Sequence, residues 1–275
     1  MKKIIVPIDY SSYSEYAFLS ALKIAHKAGS AITCINVVAT DIDWKNLPKE
    51  KKAQYPEILD MEAEAKEKLK DFISNHKLQG VKVEEVVAIG VPHEEIVIIS
   101  EKQHADLIII GAHGMGYQNE KFVGSNLQKV LRNADCPVLA VKKNLNGNDL
   151  RKMVFASQFS EESRPAFVKL KKILKDFRSS VHFLYVNTPS DFITSKEADA
   201  RMHAYAKGLE DMVIHSHVYC HHEAEKGIIE FAERNKIGFI GLASTDRKGK
   251  QTYQIGTTDT VLYKSDIPVL SIKIS

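Results

Sequence analysis

An internal repeat is the feature of this sequence that most constrains its fold. The segment CPVLAVK, residues 136–142, is matched by IPVLSIK, residues 267–273. The segment VPIDYSSYSEYA, which starts at Val6, is matched by FASQFSEESRPA, which starts at Phe155. The offset between copies is 149 residues at the match that starts at Val6 and 131 at the match that starts at Cys136, so the second copy is shorter. Solenoid repeats run to about 20–50 residues, so a repeat of this length indicates two tandem domains.

Each half alternates short apolar runs with amphipathic helical segments. Five strand-like runs separated by helical patterns predict a parallel, doubly wound α/β sheet, for which the common strand order is 3-2-1-4-5. We therefore expect two five-stranded domains, at residues 1–143 and 151–275, with a polar linker at residues 144–150. We expect the residues that the second copy lacks to be missing from the loop after its second strand. Ser12 and Glu15 fit a capping box for the first helix.

Composition excludes several classes of protein. Apolar residues make up 44% of the chain and charged residues 27%, and the net charge is only +3. No basic stripe of the nucleic-acid-binding type is present. The apolar run at the N-terminus ends at Asp9, too early for a signal peptide or a membrane span. The three cysteines are widely spaced and form no zinc-type pair, so we expect a cytoplasmic protein without a disulfide framework.

A glycine-rich loop is the strongest local signal. Gly111-Ala-His-Gly114 follows the buried-type strand Asp106–Ile110, and Gly124-Ser125 follows after nine further residues and opens a helix. Glycine lets a ligand approach the main chain, and the free N–H groups at a helix start favour an anion such as phosphate. The spacing is neither that of a P-loop nor that of a dinucleotide fingerprint. A flexible loop without a ligand is the alternative.

Asp9 ends the first strand and strengthens the case for a ligand. In the order 3-2-1-4-5, strands 1 and 4 are neighbours at the topological switch point, where ligands bind at carboxyl ends. Asp9 and Gly111 would lie at those two ends. A carboxylate there can accept hydrogen bonds from a ribose or an exocyclic amine. Turn or cap chemistry is its alternative role.

With these residues the sequence resembles the universal stress protein family. The resemblance covers the whole chain as a tandem pair and is most specific in the first half. The family's glycine pattern is present as Gly111, Gly114, Gly124 and Ser125. Its start motif is present as Val6, Pro7, Ile8, Asp9 and Ser11, and CPVLAVK is typical of its last strand.

The resemblance to the ATP-binding branch implies a cofactor, ATP with or without Mg²⁺, and a set of contacts. The start motif and the end of the second strand would hold adenine and ribose, which implies Pro7, Ile8, Asp9 and Val38. The glycine loop and the following helix start would hold ribose and phosphates, which implies Gly111, His113, Gly114, Gly124, Ser125 and Asn126. Leu127 departs from the hydroxyl residue that this branch often has, which weakens the expectation of a phosphate or metal contact.

The second half keeps the fold signals but departs from the nucleotide motif. Gln158 replaces the aspartate of the first strand. With Gly241 taken as the first loop glycine, Ser244 replaces the second. Eleven residues, instead of nine, then separate Ser244 from Gly256, while Thr257 keeps the hydroxyl. We therefore expect one ATP per chain.

Other residues leave alternatives open. The cluster His215, His217, Cys220, His221 and His222 offers zinc-type ligands, although the spacing fits no standard finger and exposed strand histidines are the simpler interpretation. His113 has a possible phosphate or base role beside a purely structural one. Trp44, after the second strand, would cover the ligand or bind a partner.

The sequence favours a nucleotide-responsive binding protein that acts in stress tolerance. Bound ATP would shift the conformation of the glycine-rich loop, and a protein partner would recognise the shifted loop. We find no nucleophile with a neighbouring base, so any ATP hydrolysis should be slow. A hydrolase or phosphotransfer enzyme using Asp9 and His113 is the alternative. In this family the last strands pair between domains, which implies an intramolecular pseudo-dimer and leaves a homodimer open. No nucleic-acid or membrane partner is expected.

Overall fold

A computed structural model describes residues 1–114, 125–245 and 256–274 of the chain. Its strands form one ten-stranded sheet in the order β3-β2-β1-β4-β5-β10-β9-β6-β7-β8. Each half thus has the order 3-2-1-4-5, which confirms the predicted fold class. Within the ranges described, no helix has both the length and the apolar character needed to cross a membrane.

The first half contributes strands β1 to β5 and helices α1 to α5. The strands are β1 Lys3–Pro7, β2 Ala31–Ala39, β3 Val83–Gly90, β4 Leu107–Gly111 and β5 Val138–Val141. The helices are α1 Ser12–Ala28, α2 Lys49–Lys52, α3 Pro56–Ser74, α4 Pro92–Lys102 and α5 Ser125–Asn133. The short helix α2 has no counterpart among the patterns read from the sequence.

The second half repeats this order in fewer residues. Its strands are β6 Lys152–Ala156, β7 Ser180–Asn187, β8 Ile214–Cys220, β9 Phe239–Thr245 and β10 Val269–Ile274. Its helices are α6 Arg164–Phe177, α7 Ser195–Ala206, α8 Ala224–Arg234 and α9 Thr257–Lys264. A shorter connection between β7 and α7, and a shorter α7, account for the difference in length between the copies.

The two halves meet through their last strands. β5 and β10 pair antiparallel, with Ala140 opposite Val269 and Val138 opposite Ser271. This pairing covers the apolar edge that each half would otherwise leave open. An ion pair also joins the two halves. The Lys172 ammonium of α6 lies 2.7 Å from the carboxylate of Asp106, the residue directly before β4.

The start of α1 differs from the expected capping box. Ser11, not Ser12, is the N-cap residue, and its hydroxyl accepts a hydrogen bond from the Ser14 N–H at 3.2 Å. The cap lies one residue earlier because Asp9 holds Ser11, whose N–H and hydroxyl both donate to Oδ1 of Asp9. A serine in this position satisfies one of the helix's unpaired N–H groups.

Strand register corrects one expectation about the second half. Gly111 lies opposite Val141 in β5, and Ala243 lies opposite Ile272 in β10. Val141 and Ile272 are each the sixth residue of the repeated segments that end the two halves. The counterpart of Gly111 is therefore Ala243, and the assignment of Gly241 to that position is wrong.

Both halves consequently have the same loop spacing. Twelve residues separate Gly111 from Gly124, and twelve separate Ala243 from Gly256, so the expected longer spacing in the second half is also wrong. Gly241 lies inside β9 for a packing reason: an added Cβ would lie 2.9 Å from the sulfur of a methionine in β6.

The linker between the halves is packed instead of free. Leu145 and Leu150 are buried, and the N–H of Asn146 donates to the Asp149 carboxylate at 2.6 Å. Gly238, at the entry to β9, lies so close to the linker that an added Cβ would overlap the Asp149 carbonyl. The absence of a side chain at Gly238 therefore allows the linker to reach the second half.

We expect Gly238→Ala to lower the free energy of unfolding by about 1–3 kcal/mol, because overpacking forces backbone shifts. Gly147→Ala is the matched control, since an added Cβ on this linker glycine would have no neighbour within 4 Å. Urea unfolding followed by circular dichroism measures both variants. Equal stability of the two variants would contradict the packing role assigned to Gly238.

Candidate functional site

The switch point between β1 and β4 forms as the sequence predicts. The two strands are parallel neighbours, with Ile4 opposite Leu107 and Ile5 opposite Ile108. Pro7 is the last residue of β1, and Ile8 beyond it is buried. The carbonyl of Ile8 accepts a hydrogen bond from the Asn36 side chain at 2.8 Å, which fixes the backbone just before Asp9.

Asp9 and Gly114 lie together at this edge of the sheet. Oδ1 of Asp9 accepts hydrogen bonds from the N–H of Ser11 at 3.0 Å and from its hydroxyl at 2.6 Å. Oδ2 would lie 2.8 Å from a Cβ added to Gly114. One carboxylate oxygen therefore organises the start of α1, while the other faces the loop glycine, so Asp9 combines the cap role with a position at the candidate site.

Gly111 has a packing reason for its identity. An added Cβ would lie 2.7 Å from the carbonyl carbon of Tyr13, so the backbone of β4 passes directly beneath the first turn of α1. Two residues later His113 is buried, and its ring lies edge-on to Tyr13 with the centroids 4.9 Å apart. The start of α1 thus fixes the first part of the glycine loop, and the ring contact with Tyr13 fixes the position of His113 within it. The phosphate or base role of His113 stays a prediction.

The helix that follows the loop presents polar residues at its start. Ser125 and Asn126, the first residues of α5, are exposed. Leu127 is buried with Val130 in the core between the helices and the sheet, which explains an apolar residue at this position. Gly124 lies outside the described residues, so its assigned role stays a prediction.

Val38, which the sequence predicts to contact the nucleoside, packs with residues of the connection after β2. Val38 and Trp44 belong to one buried cluster. The Lys52 ammonium lies 5.3 Å from the indole centroid, and Lys45 in the same connection forms a 2.6 Å ion pair with the buried Glu95 of α4. The indole is therefore buried in this cluster, at 8% exposure.

The same end of the second half is closed by its own loop. Pairing in β1–β2 and β6–β7 makes Gln158 and Asn187 the counterparts of Asp9 and Val38. The Gln158 side chain donates to the carboxylate of Asp191. The Asn187 side chain donates to the Ile193 carbonyl at 2.8 Å and accepts from the Ile193 N–H at 3.1 Å. Both positions therefore hold the loop between β7 and α7.

The histidines of β8 form a stack with a histidine that the sequence did not single out. Nε2 of His217 lies 2.8 Å from Nδ1 of His182 in β7, and the His215 ring stacks on His182 with centroids 4.9 Å apart. Burial, together with the Lys152 ammonium, lowers the pKa of His182 to about 4. In the part of the chain that the structure describes, no group of three or more His, Cys, Asp or Glu side chains is arranged to hold a metal ion.

Sequence reasoning also missed His93 at the start of α4. This residue is buried at 9% exposure, and no described group forms a hydrogen bond with its Nδ1. A gap-free alignment of α4 with α8 would have identified the position, because both helices have a titratable residue there, His93 in α4 and Glu225 in α8.

Comparison with known proteins supports a family assignment. The model of the universal stress protein family matches residues 1–142. A universal stress protein of Methanocaldococcus jannaschii is 36% identical over 142 residues, which cover 52% of this chain and 82% of that protein. One of Thermus aquaticus is 30% identical over 142 residues, covering 51% of this chain and 98% of that protein.

A solved structure shares the fold over the whole chain. The crystal structure of a universal stress protein from Archaeoglobus fulgidus has a TM-score of 0.75 at 22% identity and covers 99% of this chain and 98% of its own. At this identity the similarity concerns the fold alone. Together with the family model, which spans half of the sequence, it leads to one conclusion. The chain belongs to the universal stress protein family.

Proposed function

We propose that this protein binds one ATP at the switch point of its first half, residues 1–143, and acts as a nucleotide-responsive regulatory protein. The observation that carries the proposal is the juxtaposition of the Asp9 carboxylate with Gly114, at the edge where β1 and β4 meet. A carboxylate suits the hydroxyls of a ribose, and a glycine backbone permits close approach of the ligand.

The contacts divide into two ends. Pro7, Ile8, Asp9 and Val38 would contact adenine and ribose, because they lie at or next to the carboxyl ends of β1 and β2. Gly111 and Gly114, together with Gly124, would give the backbone room beside ribose and phosphates. Ser125 and Asn126 are exposed at the start of α5, where free N–H groups and the helix dipole favour an anion. His113 would contribute by shaping the loop through Tyr13.

In this proposal the second half, residues 151–275, serves as a structural partner. Residues 144–150 would link the halves, which would act as an intramolecular pseudo-dimer; the antiparallel pairing of β5 with β10 supports this arrangement. ATP would bias the loop after Gly114, and a protein partner in the cytoplasm would respond to that state.

An enzyme that hydrolyses ATP at this site is the second candidate. Packing of His113 against Tyr13 and the two hydrogen bonds that occupy Oδ1 of Asp9 favour binding over chemistry. Steady-state phosphate release by purified protein separates the two candidates. Turnover well above about 1 s⁻¹ would favour the enzyme.

Calorimetric titration of the full chain with ATP, combined with mass spectrometry of ligand released from purified protein, tests the proposal. We expect saturable binding of ATP and weaker binding of adenosine, which lacks the phosphates. A chain that binds neither would refute the proposal.

A further inference from the structure

His93 is a buried, unused polar group near the phosphate end of the candidate site. It is the second residue of α4 and is 9% exposed. Among the described residues, no group forms a hydrogen bond with Nδ1, and Nε2 lies 4.0 Å from the Glu94 carboxylate. Burying an imidazole nitrogen without a partner costs free energy, so a group in this state calls for an explanation.

The internal repeat locates His93 relative to α5. Helices α4 and α8 both contain eleven residues and are followed, at His104 and Lys236, by residues with φ of 50° and 51°. The helices therefore align without a gap, and the counterpart of His93 is Glu225, the second residue of α8.

Glu225 contacts the start of the next helix in its own half. Its carboxylate accepts a hydrogen bond of 2.9 Å from the hydroxyl of Thr257, the first residue of α9. Thr257 follows Gly256 as Ser125 follows Gly124. His93 and Ser125 are therefore the counterparts of Glu225 and Thr257, which form a hydrogen bond with each other in the second half.

Charge around His93 also favours an anion. Burial lowers the pKa of His93, and the Lys129 ammonium of α5 lowers it further, while the Glu94 carboxylate raises it. A neutral imidazole has one N–H to donate. The exposed N-terminal turn of α5 offers N–H groups to the same region. A phosphate oxygen there would accept from Nδ1–H and from the helix start together.

We propose that His93 is an additional phosphate-binding residue, whose Nδ1–H donates to the polyphosphate of a nucleotide held at the start of α5. This inference rests on the proposed function, for which it adds a contact from α4. In the second half, the carboxylate of Glu225 occupies the equivalent position and would repel a phosphate. The two halves thus differ in charge at the phosphate end as well as in structure at the nucleoside end.

His93→Leu and His93→Asn in the full chain test the inference. Leucine fills similar space without a donor, and the side-chain amide of asparagine places an N–H near the position of Nδ1. Glu101→Gln is the control, because this exposed glutamate lies at the opposite end of α4. The ligands are ATP, inorganic triphosphate and adenosine, titrated calorimetrically, with circular dichroism to verify folding.

We expect His93→Leu to weaken ATP and triphosphate binding about 10-fold to 150-fold, as for a hydrogen bond to a charged group. Adenosine affinity should stay unchanged, and His93→Asn should bind ATP more tightly than His93→Leu. Unaltered ATP affinity of folded His93→Leu, or an equal loss for adenosine, would overturn the inference while leaving the ATP proposal standing.

If His93→Leu does not fold, nuclear magnetic resonance of the His93 imidazole in the wild-type protein tests the same inference. Signals of His93 should shift with ATP and with triphosphate but not with adenosine. ATP binding without a change in these signals would overturn the inference. Triphosphate binding through His93 without any binding of ATP or adenosine would support the anion contact and refute the ATP assignment.

Discussion

Asp9→Ala should weaken binding of ATP and of adenosine alike, by about 10-fold to 150-fold. In the proposed site the carboxylate contacts the nucleoside. A hydrogen bond to a charged group contributes about 1.5–3 kcal/mol, at 1.4 kcal/mol per factor of ten. The substitution also removes the acceptor for the N–H and hydroxyl of Ser11. A loss of affinity therefore needs a control that perturbs the same turn and keeps the carboxylate.

Ser11→Ala is that control. It removes the hydroxyl that donates to Asp9 and that caps α1 through Ser14, at a cost of about 0.5–2 kcal/mol in stability. Calorimetric titration with ATP and adenosine should give near wild-type affinity for Ser11→Ala. If Asp9→Ala lowers ATP affinity and spares adenosine, Asp9 serves the phosphates or a metal, and its assignment to the nucleoside is wrong.

The sequence predicted the fold because its signals are local. Apolar runs of strand length and helical periodicity repeat in both halves, and the repeat itself identifies the tandem plan. The placement of Asp9 and Gly111 at one edge of the sheet was predictable because a doubly wound sheet brings the ends of β1 and β4 together. Their juxtaposition in the structure follows from topology.

Features that depend on pairing and packing were not predictable from one sequence. The counterpart of Gly111 could not be chosen correctly until the register of β9 with β10 was known, because Gly241 offers a misleading glycine two residues earlier. The buried cluster that contains Val38 and Trp44 joins residues from a strand and a long connection. The proposed role of His93 depends on the proximity of the starts of α4 and α5, which the sequence alone does not show.

These corrections change the reason for asymmetry between the halves and leave the expectation intact. Loop length no longer distinguishes them. Instead, Gln158 and Asn187 occupy the positions of Asp9 and Val38 and hold the loop between β7 and α7 through Asp191 and Ile193. A nucleoside would have to displace these hydrogen bonds.

We therefore expect one ATP per chain, with a calorimetric stoichiometry near one. Asp9→Ala should weaken that single site, whereas Gln158→Ala, the matched change in the second half, should leave both affinity and stoichiometry unchanged. The physical reason is that Gln158 cannot supply a negative charge and its amide already binds Asp191. Titration of the two variants and the wild-type chain at equal concentration measures the difference.

Two equivalent sites in the wild-type chain, or a site that survives Asp9→Ala at full affinity and disappears with Gln158→Ala, would show that the second half binds nucleotide. In that case the loop after β7 would have to open on binding, and the hydrogen bonds of Asn187 would mark a closed state of a working site.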